Sequence, residues 1–157
     1  MFLAISILLS ILESIFPIIN GMVPGMKLGM ANIIVVITLF LYGRKEAFLL
    51  AILRVFLMGI LRTGIFSITF FFSLTGAIFS VGMMSLVVQS KLSIIGISIL
   101  GSIFHSIGQF FAAQFLLHMP KIIYYLPWMI LFSLVTGMIT GYFSKQVLHY
   151  IAKGDCK

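Results

Sequence analysis

Six apolar segments, separated by short polar breaks, constrain this chain more than any other feature. They cover residues 2–19, 29–43, 46–62, 65–88, 92–118 and 122–150. A helix needs about 20 apolar residues to cross a bilayer, with a range of about 17–25. The second segment is short and the last is long. We therefore expect a shortened or broken helix in the first half and a tilted or extended helix at the end.

The composition excludes an ordinary soluble fold. Hydrophobic residues make up 62% of the 157 and charged residues only 8%, whereas soluble domains have about 25% charged residues. So few charges cannot cover the exterior of a globule, and we predict an all-α integral membrane protein in contact with the lipid bilayer. The net charge is +7, but the cations are scattered, so we predict no nucleic-acid partner.

The distribution of cations predicts the topology, because cytoplasmic loops collect Lys and Arg and an even number of spans places both termini on one side. With both termini inside, the inner cations are Arg44, Lys45, Lys91, Lys145, Lys153 and Lys157, and the outer ones are Lys27, Arg62 and Lys121. We predict six transmembrane helices with both termini cytoplasmic. They form one domain over 1–151, followed by a polar tail over 152–157.

Small residues recur every four positions on two of these helices. They are Ser6, Ser10 and Ser14 on the first helix and Ser133, Gly137 and Gly141 on the last. Such spacing lets two helices approach closely. Packing inside the bundle is the simpler interpretation, and a docking face for another membrane subunit is the alternative.

Polar side chains within apolar segments are the candidates for function, because a central Arg costs about 2.5–3.5 kcal/mol to insert. They are Glu13, Asn32, Arg54, Arg62, His105, Gln109 and Gln114. His105 and Gln109 lie one turn apart, beside a stripe of small residues at Gly101, Gly108 and Ala112. Two interpretations stay open for this pair: hydrogen bonds to other helices, or contact with a ligand.

Arg54 and Glu13 could form a pair within the bundle. Such a pair would leave Arg62 and Lys27 uncompensated in the same outer half. Three cations against one carboxylate predict an anionic or strongly hydrogen-bonding ligand, held by guanidinium forks and a Lys point charge.

The stretch PGMKLGMANI at 24–33 combines a turn, a cation and an amide. Gly29 removes side-chain bulk, and Asn32 lies near a helix N-terminus, whose free N–H groups favour anions. We predict a loop that covers or lines a binding site. A plain re-entry turn is the alternative.

The sequence resembles the Gx transporter family, also described as heptaprenyl diphosphate synthase component I. The matching elements are PGMKLGMANI at 24–33, the arginine in AILRV at 51–55, FFSLTG at 71–76, SIIGISILG at 93–101, HSIGQ at 105–109, YLP at 125–127 and TGMITG at 136–141. They follow one another over nearly the whole chain. One departure is Ser106, where the family usually has asparagine.

The family is similar to the substrate-binding S components of energy-coupling factor (ECF) transporters. That resemblance implies a six-transmembrane-helix bundle in a bacterial cytoplasmic membrane, with a site near the outer face under the first loop. It also implies docking of the first helix on a transmembrane coupling subunit driven by two ATPases. ATP would enter only through those partners.

The leading hypothesis is uptake of a small, anionic or vitamin-like molecule. Arg54, Arg62 and Lys27 would hold its negative charge, while Asn32, His105 and Gln109 would contact its polar groups. Glu13 would compensate the positive charge of Arg54.

Two other functions stay open. Prenyl diphosphate synthases need paired aspartates for magnesium, and the sole aspartate here is Asp155 in the tail. The chain could therefore be at most a non-catalytic accessory subunit of such an enzyme. A membrane partner that handles a flavin or quinone is the third interpretation. With one cysteine, Cys156, and dispersed histidines, we predict neither a metal site nor a covalently bound cofactor.

Overall fold

The computed structural model describes residues 1–15, 29–117 and 120–154, and these ranges are helical without any strand. The helices are α1 (Phe2–Ile15), α2 (Met30–Leu41), α3 (Arg44–Met58), α4 (Ile68–Val87), α5 (Ile94–Leu117) and α6 (Leu126–Gly154). A π-helical turn, Gly59–Thr63, extends α3, and a 3-10 turn, Pro120–Tyr125, precedes α6. The predicted all-α class with six helices is confirmed.

The lengths of α2 and α6 follow the sequence expectation. α2 has 12 residues and α6 has 29, which gives about 18 Å and about 43 Å at 1.5 Å per residue. α2 is short because glycines with positive φ bracket it, Gly29 at 75° and Gly43 at 104°. α4, α5 and the region Ile123–Lys153 are long and apolar enough to cross a membrane.

The packing order brings the start of α1 and the end of α6 to the same end of the molecule. α5 packs between α4 and α6, and α2 contacts α1, α3 and α6. The ring centroids of Phe2 and Tyr42 lie 5.7 Å apart, so α1 begins where α2 ends. α2 and α6 run parallel, because Gly29 lies beside Thr140 and the Ser144 hydroxyl donates to the carbonyl of Ile33.

We call this end, with Arg44, Lys45, Lys91 and Lys153, the basic end. The other end, with the turns Gly59–Thr63 and Pro120–Tyr125, is the opposite end. Glu13 and Gly29 lie between the two ends, beside the middle of α6.

The small residues of α6 serve close packing inside the chain. A Cβ atom built at Gly137 would lie 2.7 Å from the Cα of Ile99, and one at Gly141 would lie 2.8 Å from the Cα of Ile95. Real Cβ atoms do not approach backbone so closely, so α5 and α6 can lie at this distance only with glycine at these positions.

The serine face of α1 is also turned inward. Ser6 is 0% exposed, and the hydroxyl of Ser10 donates to the carbonyl of Ser6 at 2.9 Å. The side chain of Ser14 lies outside the described residues. Ser6 therefore packs inside the bundle, and the half-buried Ser10 lines the cavity described below.

Candidate functional site

A cavity of about 110 Å³ lies among the helices in the half of the molecule nearer the opposite end. Its polar lining consists of Ser10, Glu13, Asn32, Arg54, Ser73, Ser102, His105, Ser106, Gln109, Ser133 and Thr136. Its apolar lining includes Val55, Met58, Met129 and Phe132. All six helices contribute polar groups to the wall: Ser73 comes from α4, and the others come from the remaining five helices. The cavity therefore forms only when the whole bundle is packed.

The cavity collects most of the residues that the sequence singles out. Asn32, Arg54, His105 and Gln109 all line it, together with Glu13. Arg62 does not line it and is exposed on the π-helical turn. Lys27 lies outside the described residues.

Glu13 ties the end of α1 to the start of α2. Its side chain is only 7% exposed, and its Oε1 atom accepts a hydrogen bond from the N–H of Gly29 at 2.6 Å. Gly29 is the N-cap residue of α2 and supplies no side-chain cap of its own. The anion at this helix N-terminus is thus a side chain of the protein, placed where the free N–H groups and the helix dipole favour negative charge.

Arg54 of α3 lines the same cavity, close enough to Glu13 for the two opposite charges to attract each other. Glu13 and Arg54 are oppositely charged, and no other Asp, Glu, Lys or Arg lines the described cavity wall. The imidazole of His105 apart, the formal charges of the described wall therefore cancel. The excess of cations expected from the sequence is therefore not reproduced by the described residues.

His105 owes its position to a glycine on the neighbouring helix. A Cβ atom built at Gly76 of α4 would lie 2.7 Å from the Cε1 atom of His105. A Cβ at Gly108 would lie 2.7 Å from the carbonyl oxygen of Thr75. The small-residue stripe of α5 therefore packs against α4. His105 lies within that contact and also reaches the cavity, so the stripe has a packing role and a site role together.

Hydroxyl groups form a large part of the wall, although the ligand-binding candidates drawn from the sequence did not include them. The hydroxyls of Ser106 and Ser133 share a hydrogen bond across the α5–α6 contact. Ser133 also donates to the carbonyl of Met129 at 2.6 Å. The signal was a four-residue repeat of serine on α5, at Ser98, Ser102 and Ser106, which places three hydroxyls on one helix face.

The size and chemistry of the cavity limit what it can accept. An engineered cavity of about 150 Å³ takes up benzene, and pockets for drug-sized ligands measure about 300–1,000 Å³. In this conformation the cavity admits only a small molecule. Hydroxyls, amides, an imidazole and a guanidinium equip it to bind and orient polar groups. Among the described residues, no three His, Cys, Asp or Glu side chains are grouped to hold a metal ion.

Comparison with known proteins identifies the family but no individual relative. No curated protein and no solved structure matches the sequence. The family model described as heptaprenyl diphosphate synthase component I matches residues 2–147. The match begins with α1 and extends into the last third of α6. The chain therefore belongs to the heptaprenyl diphosphate synthase component I family, also called the Gx transporter family.

Proposed function

We propose that the chain is a membrane-embedded subunit that binds a small polar molecule, comparable to the S components of ECF uptake transporters. The observation that carries this proposal is the cavity, in which an arginine, a carboxylate, an imidazole and two amides converge with hydroxyls between apolar helices. Polar groups at this depth are costly, and their convergence on one cavity is the arrangement that a buried ligand requires.

The exposed surface supports insertion into a membrane. Leu86 and Phe115 are 76% and 79% exposed, and many other large apolar side chains face outward in the same way. A soluble protein rarely exposes apolar surface on this scale. In a bilayer these side chains would contact lipid.

Aromatic residues at the two ends of α6 support the same proposal. Tyr124, Tyr125 and Trp128 are exposed near its start, and Tyr150 is exposed near its end. Tyr125 and Tyr150 are separated along the helix by about 38 Å. The hydrocarbon core of a bilayer is about 30 Å thick, or about 40–45 Å with the headgroup regions, and Tyr and Trp prefer those interfaces.

The orientation follows from the charges at the two ends. The basic end carries Arg44, Lys45, Lys91 and Lys153, whereas Arg62 and Lys121 lie at the opposite end. We propose that the basic end faces the cytoplasm, which places the cavity in the outer half of the membrane. Uptake would then need a transmembrane coupling subunit with two ATPases. The exposed face of α1, with Ile5, Leu8 and Leu12, is available to such a subunit, unlike the buried serine face.

The ligand is a small molecule rich in hydrogen-bonding groups. Arg54 would bind a carboxylate, phosphate or other acceptor group. Asn32, His105, Gln109 and the hydroxyls would bind the remaining polar groups. The balancing carboxylate of Glu13 means that one acceptor group on the ligand suffices, and a multiply charged anion is not required.

Replacement of Gln109 by leucine tests the proposal directly. Gln109 is 5% exposed and lines the cavity. Loss of its amide leaves ligand groups unpaired, which costs about 1–3 kcal/mol, so we expect ligand retention to fall by about ten-fold or more. The measurement is mass spectrometry of the molecules released when the detergent-purified protein is denatured.

Gln114→Leu is the matched control, because Gln114 is exposed on the same helix. It should release the same molecule in the same amount as the unaltered protein. Equal release from both variants would contradict a binding role for the cavity. If the unaltered protein releases no stoichiometric molecule, the binding proposal is wrong. The family description would then favour a non-catalytic accessory subunit of a prenyl diphosphate synthase.

Gly76→Ala should weaken ligand binding by moving His105, although Gly76 itself does not line the cavity. The new methyl group would displace the His105 ring, whose Cε1 atom lies 2.7 Å from the Cβ position. The ring can rotate, so stability should change by less than about 1 kcal/mol, while ligand retention falls by about ten-fold. Gly82→Ala on the same helix meets no atom within 4 Å and should leave retention unchanged. Equal retention in the two variants would show that His105 does not contact the ligand.

A further inference from the structure

A second binding feature lies on the outside of the molecule, far from the polar cavity. It is a groove of about 600 Å³ between α3 and α4. Arg44 and Lys45 lie at one end of it, in the first turn of α3. The rest of its wall is formed by apolar or small residues, among them Leu49, Ile52 and Gly82.

The α3 wall of the groove is a single stripe of one helix. Lys45, Leu49 and Ile52 are spaced i, i+4 and i+7 and share a face. This stripe is about 10 Å long. The surface of the groove is thus almost wholly apolar, and the two exposed cationic residues border it at one end only. Glu46, the acid of the same turn, is not part of the groove wall.

Gly82 leaves space in the groove but is not needed for the close approach of α3 and α4. A Cβ atom built there meets nothing within 4 Å, so α3 and α4 do not need glycine at this position to approach each other. Gly76 and Gly108, by contrast, lie in tight contacts. A side chain at position 82 would instead extend into the groove between Leu49 and Ile52 of one wall and Ser85 of the other.

We infer that this groove binds an anionic phospholipid, with the phosphate at Arg44 and Lys45 and an acyl chain along the apolar wall. A free anion would gain nothing from the apolar wall. A zwitterionic lipid would gain less from the two cations than an anionic lipid does, because its phosphate already lies beside a cation of its own headgroup. Basic pockets between transmembrane helices on the cytoplasmic side are known to hold anionic headgroups. The inference rests on the proposed membrane insertion, with the basic end in the cytoplasmic leaflet.

The test uses the full chain reconstituted into vesicles of equal parts phosphatidylglycerol and phosphatidylcholine. After gentle extraction, native mass spectrometry counts the lipids that stay bound. The unaltered protein should retain phosphatidylglycerol in preference to phosphatidylcholine. The double variant Arg44→Gln with Lys45→Gln should bind phosphatidylglycerol about thirty-fold more weakly, since each cation near anionic lipid contributes about 1 kcal/mol.

Two further variants make the result specific. Lys145→Gln with Lys153→Gln removes the same charge from α6 and should keep the preference for phosphatidylglycerol. Gly82→Leu keeps both cations but fills the groove, so it should also lose the retained lipid. Equal retention in the double variant at 44 and 45 and in its control would overturn the inference. Retention by Gly82→Leu would overturn the acyl-chain site.

The same experiment separates this inference from the proposal on which it rests. A protein that does not enter the vesicles would contradict membrane insertion itself. A protein that enters the vesicles and retains both lipids alike contradicts only the lipid site. A groove that instead receives a helix of a partner subunit would give equal lipid retention in all the variants, which also overturns the inference.

Discussion

Arg54→Gln is expected to lose ligand binding and to destabilise the folded protein at the same time. The guanidinium lines the cavity and interacts with Glu13, whose side chain is 7% exposed. A bidentate bond to a ligand oxyanion combines two charge-assisted hydrogen bonds of about 1.5–3 kcal/mol each, so binding should weaken at least about a hundred-fold. The carboxylate left behind without its partner should cost about 3–5 kcal/mol of stability.

The double variant Glu13→Gln with Arg54→Gln separates these two effects. A glutamine at position 13 can still accept the hydrogen bond from the N–H of Gly29 and leaves no buried charge. We expect the double variant to recover most of the stability in denaturant unfolding, monitored by circular dichroism. Ligand release in mass spectrometry should stay absent. A single Arg54→Gln variant that retains the ligand would contradict the assigned role of Arg54.

Arg62→Gln distinguishes a site in which Arg54 binds the ligand without Arg62 from the three-cation site predicted from the sequence. Arg62 is exposed and does not line the cavity, so its replacement should change ligand retention by less than about two-fold. A loss as large as that of Arg54→Gln would restore the three-cation site that the sequence predicts.

The fold could largely be predicted from the sequence, because apolar and polar residues are so clearly segregated along this chain. Apolar runs of spanning length, broken by Gly, Pro and charged residues, give the six helices within a few residues. The short α2 and the long α6 follow from the lengths of their runs. Costly polar groups are rare in such runs, so Asn32, Arg54, His105 and Gln109 stand out by residue type alone.

The direction in which each helix face points could not be predicted with the same success. Ser6 and Ser10 form a small-residue face that suits an inner or an outer contact, and only the packing of α1 on α2 and α3 turns it inward. Arg62 lies near the end of the π-helical turn Gly59–Thr63. A π-helical turn shifts every later side chain around the axis, which a regular helical period does not anticipate.

The hydroxyl lining and the Glu13–Gly29 bond have no strong sequence signal for physical reasons. Serine and threonine in apolar helices often bond to a carbonyl of their own helix, as Thr38 does to Ile34 and Ser10 to Ser6. Because their hydroxyls can be satisfied within one helix, such residues do not indicate a cavity in the sequence. The Glu13–Gly29 bond joins residues that are 16 positions apart. Contacts of this kind depend on how the helices meet.

Gly108→Ala combined with Gly137→Ala is expected to be the most destabilising change outside the cavity. Gly108 faces the carbonyl of Thr75, and Gly137 faces the Cα of Ile99, each with a Cβ position 2.7 Å away. In both cases the obstructing atom is backbone, so the helices themselves must separate. Overpacking of this kind costs about 1–3 kcal/mol per site, and the pair would remove a large part of a typical total of about 5–15 kcal/mol.

The two glycines lie at different contacts of the central helix, since Gly108 packs on α4 and Gly137 packs on α5 from α6. Their effects should therefore add to within about 0.5 kcal/mol. The measurement is denaturant unfolding of both single variants and the double variant, with Gly82→Ala as the control. Because α5 carries His105 and Gln109 into the cavity, ligand retention should fall together with stability. A double variant as stable as Gly82→Ala would show that these helices do not need so close an approach, and the cavity they enclose would then have another shape.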